Sequence, residues 1–95
     1  MREWPSMKDL YVEVTFRHGR PLAAYLYLPR QADEKSSSTK RVEPGMVIDF
    51  GAKGNPIGIE ITAPSRISLE AVNHVLEELG LPLMSSSDLA PLLAA

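Results

Sequence analysis

Met46-Val47-Ile48-Asp49-Phe50-Gly51-Ala52-Lys53-Gly54-Asn55-Pro56-Ile57-Gly58-Ile59-Glu60-Ile61-Thr62 consists of two alternating runs around a glycine-bearing loop. Apolar and β-branched side chains recur at every second position, the period of a strand with one buried face. Gly51-Ala52-Lys53-Gly54 supplies hairpin-loop chemistry. Placing Phe50 opposite Asn55 aligns Met46, Ile48 and Phe50 with Ile57, Ile59 and Ile61, and leaves Val47, Asp49, Gly58 and Glu60 on the other side. Just upstream, Val42 opens the same strand, and Pro44-Gly45 reads as a bend or bulge within it.

The same period runs through the preceding stretch. Leu10, Val12, Val14 and Phe16 alternate with Tyr11, Glu13, Thr15 and Arg17. His18-Gly19-Arg20-Pro21 then forms a turn, and Leu22 to Leu28 forms the next strand, with Leu22, Ala24, Leu26 and Leu28 on its apolar side. Pairing Phe16 with Leu22 also pairs Val14 with Ala24 and Val12 with Leu26, and sets Tyr11 opposite Tyr27 and Glu13 opposite Tyr25.

The segment from Arg30 to Lys40 contains one apolar residue, Ala32, and reads as a mobile loop. After Ala63-Pro64, Ser68 is a good N-cap and Glu70 suits the positive end of a helix dipole. Leu69, Val72, Val75, Leu76 and Leu79 form one apolar stripe, and Gly80 and Pro82 stop it, so a helix spans about Leu69 to Leu79. The expected architecture is α+β and two-layered: a four-stranded antiparallel meander with one C-terminal helix packed on one face. Residues 1–9 form a loose leader, residues 10–82 a single domain and residues 83–95 a flexible C-terminal tail, the alternative being that Leu89, Leu92 and Leu93 dock as a short helix.

A chain of 95 residues makes one domain with one modest core. No apolar run is long enough for a bilayer, and Met1-Arg2-Glu3-Trp4-Pro5 lacks the apolar stretch of a signal peptide, so the expectation is a cytoplasmic protein with no membrane partner. Cysteine is absent, which excludes a disulfide scaffold, a thiolate nucleophile and a cysteine metal site. Ten basic against twelve acidic residues create no field that attracts nucleic acid.

The search for chemistry finds no catalytic constellation and no cofactor or metal site. In the register above Asp49 lies opposite Pro56, four residues from Glu60, or ~13 Å along the sheet. Paired carboxylates of the glycosidase kind sit ~5–9.5 Å apart. His18 lies in a turn, and His74 shares a helix face with Glu70, Glu77 and Glu78, an open row that reads as a solvated face. The serine runs 36–38 and 85–87 read as linkers, and Gly51 to Gly54 lacks the spacing of a phosphate loop. What stands out is the outer sheet face: Tyr11, Tyr25, Tyr27 and Val47, with Asp49 and Glu60 beside them. Such a face buries itself against a second copy or another protein, stacks nucleic-acid bases, or carries ordinary half-exposed tyrosines. Its carboxylates and the overall charge argue against the second.

Val42-Glu43-Pro44-Gly45-Met46-Val47-Ile48-Asp49-Phe50, Lys53-Gly54 and Gly58-Ile59-Glu60-Ile61, together with the tyrosine in Ala24-Tyr25-Leu26, resemble a family of small bacterial proteins of unknown function. Its pattern is a Leu-Tyr strand, a variable loop, a Val-x-Pro-Gly-Val-Ile-x-Asp-Tyr strand, a glycine turn and a Gly-Ile-Glu-Ile strand. The resemblance spans about residues 10 to 67. The acidic residue that usually precedes the tyrosine is replaced here by Leu22 or Ala23, and the helix and tail extend past the usual short form. The resemblance supports the fold and implies no activity. The expectation is a non-enzymatic interaction domain that forms a homodimer through the outer face or an edge strand. The alternative is an antitoxin-like or regulatory partner of a neighbouring gene product.

Overall fold

The alternating runs become strands, but their order differs from a meander. The computed structural model describes residues 11–29, 35–42 and 45–93. It contains β1 (Tyr11–Arg17), β2 (Arg20–Tyr27), β3 (Ser38–Val42), β4 (Met46–Phe50), β5 (Pro56–Ile61), a 3-10 turn (Pro64–Arg66), α1 (Leu69–Glu78) and α2 (Ala90–Leu93). The fold is α+β, with one antiparallel sheet of five strands in the order β1-β2-β5-β4-β3. The expected leader lies outside the described residues, as do Arg30 to Glu34 of the expected loop.

Two corrections explain the extra strand. Ser38 to Lys40, expected in the mobile loop, belong to β3, which pairs with β4 from Ser38↔Phe50 to Val42↔Met46. The chain therefore reverses between Val42 and Met46, where a bend inside one strand was expected. Gly45 fits this reversal because its φ is +67°, and an added Cβ would lie 2.8 Å from the Ala63 Cβ. β2 then pairs with β5 instead of with the strand that follows it. β2 and β3 flank the β5–β4 pair on opposite sides. Leu28 N–H donates to the Ile57 carbonyl at one end (3.2 Å), and Ser37 N–H donates to the Phe50 carbonyl at the other (2.7 Å).

The register of the first hairpin follows expectation from Tyr11↔Tyr27 to Thr15↔Ala23 and then shifts. Phe16 faces Pro21, so Leu22 is the extra residue of a bulge. His18 and Gly19 both have positive φ (54° and 79°), the requirement of the type I′ turn that matches strand twist. As a result Phe16 and Leu22, expected inside, are 53% and 52% exposed. In the second hairpin Phe50 faces Pro56, one residue from the expected register, and beyond a bulge between Asp49 and Phe50 Asp49 faces Gly58, two residues from it.

Away from the Phe16 and Leu22 end of the first hairpin the inside–outside assignment holds. Ala24, Leu26, Met46, Ile48, Ile59 and Ile61 are buried in one cluster with Val72, Val75 and Leu76 of α1. The Ser68 side chain caps α1 by accepting from Ala71 N–H (3.1 Å). Gly80, at φ +73°, lets its own N–H and that of Leu81 reach back to the Glu77 and Leu76 carbonyls. Ser68→Ala is expected to lower stability by about 1 kcal/mol, measurable in urea denaturation.

The stretch expected as a flexible tail packs instead. Met84, Leu89 and Leu92 are buried in the same core. Asn73 on α1 holds the Met84 backbone at two points: its amide group donates to the carbonyl (3.0 Å), and its oxygen accepts from the N–H (2.8 Å). Asp88 accepts from both the backbone N–H and the hydroxyl of Ser85 (3.1 and 2.9 Å), and the backbone bond, then the hydroxyl, hold its carboxyl below the usual carboxylate range. The serine run 85–87 is thus the turn that feeds α2, where a linker was expected.

Candidate functional site: the outer sheet face

Strand register defines this face. Two transverse rows cross it: Arg41, Val47, Glu60, Tyr25 and Glu13 in one, and Thr39, Asp49, Gly58, Tyr27 and Tyr11 in the other. All six expected face residues share it by register, though the Tyr11 side chain lies outside what is described. No described helix covers this face.

Its aromatic centre is held within the sheet. Tyr25 lies directly opposite Glu60, yet its ring leans diagonally across β5 and its hydroxyl donates to Asp49 Oδ2 on β4 (2.7 Å). The path lies over Gly58: a Cβ there would fall inside the Tyr25 phenol. Tyr25 therefore straps β2, β5 and β4 together, and only glycine leaves room beneath it. Tyr27 packs edge-on to Tyr25 (centroids 4.8 Å apart, planes at 66°), and its hydroxyl donates to Glu13 Oε1 on β1 (3.1 Å). Tyr25, Tyr27, Val47 and Asp49 are half-buried, whereas Glu13, Glu60 and Arg41 are exposed.

The new register also changes the carboxylate geometry. Asp49 and Glu60 are diagonal neighbours on adjacent strands, with Cα atoms ~7–8 Å apart by sheet geometry, in place of the expected ~13 Å. The Asp49 carboxylate is engaged by the Tyr25 hydroxyl, while Glu60 opens to solvent. His74 lies 3.4 Å from Glu78 on the exposed side of α1. Among the described residues no three His, Asp or Glu side chains are placed to hold a metal ion. Sequence reasoning placed Gly58 on this face but missed its role. A glycine flanked by isoleucines inside a strand is the available signal for a close approach.

The residues that carried the family resemblance converge here: Tyr25, Asp49 and Gly58 form one contact set. Residues 23–64 match the family model of a protein of unknown function, DUF2283. The match runs from β2 through the 3-10 turn's first residue and so includes every member of the strap. It leaves β1, α1 and the packed C-terminal stretch outside the DUF2283 segment. No curated protein and no solved structure matches the chain. No helix among the described residues is long and apolar enough to cross a membrane.

Proposed function

We propose that this protein is a non-enzymatic interaction domain that self-associates through its sheet, by the outer face or an edge strand. The observation that carries this reading is the two-sided character of the sheet: α1 and the C-terminal stretch bury one face, while Tyr25, Tyr27 and Val47 form a half-buried aromatic and apolar patch on the other. The tyrosine hydroxyls are engaged within the sheet, which presents rigid ring surface of the kind that interfaces use. Three carboxylates, Glu13, Asp49 and Glu60, accompany Arg41 there, and this balance favours protein over nucleic acid as the partner.

Sedimentation velocity across a concentration series tests the reading. A reversible dimer that populates as the chain is concentrated into the high micromolar range is the expected result. A monomer throughout overturns it.

A further inference from the structure

Building on that reading, we infer that two copies of this chain join edge to edge along β1, antiparallel and symmetric about Thr15. The two sheet edges differ in kind. On β3, Lys40 shares the core side with Ile48, and a charge turned to the apolar side of an edge strand discourages further pairing. Among the described residues β1 has no such guard: its seven residues contain no lysine or proline, and Val12 and Val14 on its core side are only partly buried.

The β1 backbone is also set to accept a partner. Leu28 N–H donates to Ile57 on β5, so Ala24 and Leu26 also turn their backbone groups toward β5, while Ala23, Tyr25 and Tyr27 turn theirs toward β1. Tyr11, Glu13 and Thr15 answer them, and Val12 and Val14 point their N–H and C=O groups away from the sheet. The bulge residue is Leu22 on β2, so the alternation of β1 continues to Phe16, which is 53% exposed at the end of this edge.

Charge selects the register. Arg17 stands directly opposite Arg20 of its own hairpin, an unfavourable like pair. A two-fold axis at Thr15 sets Glu13 opposite Arg17 of the second copy on both sides and brings Val14 against the exposed Phe16. An axis at Glu13 stacks Glu13 on its own copy, and an axis at Val14 pairs neither charge with its opposite. The joined sheets present both outer faces as one continuous surface.

The chain has no cysteine, so one engineered thiol reports one distance. At the axis Thr15 meets its own copy as a non-hydrogen-bonded pair, with Cα atoms ~4.5 Å apart, inside the ~4.4–6.8 Å range of a disulfide. Under mild oxidation Thr15→Cys is expected to give a covalent dimer, while Glu60→Cys at the centre of the outer face does not. Glu13→Arg and Arg17→Glu are each expected to weaken the dimer about tenfold. The two changes in one chain are expected to restore it. Residues 13 and 17 lie ~13 Å apart within one strand, so they cannot compensate each other inside one copy. A dimer that links through Glu60→Cys and not Thr15→Cys, or that ignores both charge reversals, overturns the β1 pairing and leaves self-association standing. A monomer under all conditions overturns both.

Discussion

Leu89→Ala is expected to lower the stability of the whole domain by about 2–4 kcal/mol, the cost of truncating a packed core side chain. Leu89 is 1% exposed and shares its cluster with Leu76, Ile59 and Leu26. Removing its branched end deletes the transfer free energy and leaves a void in that core. The measurement is the urea midpoint at unchanged slope. A stretch held loosely against the body behaves like a surface site, with a change within about 0.5 kcal/mol. Leu83, only five residues from Asp88 but 58% exposed, is the internal control. Leu83→Ala should fall within that smaller range.

The second large effect is a change of sign. Gly58→Ala forces the Tyr25 phenol off β5 and breaks its bond to Asp49. A hydrogen bond to a charged group contributes about 1.5–3 kcal/mol. Replacing a strand glycine by alanine returns about 0.5–1 kcal/mol through a less flexible unfolded chain. The expected net loss is therefore about 1–2 kcal/mol. In a Tyr25→Ala background there is no ring to displace, and the same Gly58→Ala should be neutral or stabilising by about 0.5–1 kcal/mol. Urea denaturation of the four proteins gives this cycle directly. Equal effects of Gly58→Ala in both backgrounds would remove the strap.

Much of the fold was legible where side chains alternate over an apolar face. The isoleucines of β5, the valines of β1 and the α1 stripe gave the layers and the inside–outside assignment. β3 was hidden because an edge strand is held by backbone bonds, and Ser38, Thr39, Lys40 and Arg41 are all exposed. With β3 hidden, Pro44-Gly45 had no reversal to explain and passed for a bend. The first register error came from the bulge at Thr15/Phe16, and the second from a hairpin loop one residue longer than expected together with the bulge at Asp49/Phe50; an extra residue leaves the polar–apolar alternation intact on each side. The C-terminal leucines were ambiguous because their short helix has too few residues to show a period. For the site, register placed the face residues together, but the diagonal lean of Tyr25 over Gly58 depends on a rotamer that no spacing rule encodes.

The strand order divides the sheet into two pieces that assemble from local chain. β1 and β2 form one hairpin, and β3, β4 and β5 form a run of sequence neighbours. Among the described residues their strands pair along β2 and β5, where Leu26 and Ile59, thirty-three positions apart, face each other. Closing so wide a loop to form that seam is the entropically costly event in this topology. Tyr25, anchored on one piece and reaching Asp49 on the other, is the side chain that rivets it shut.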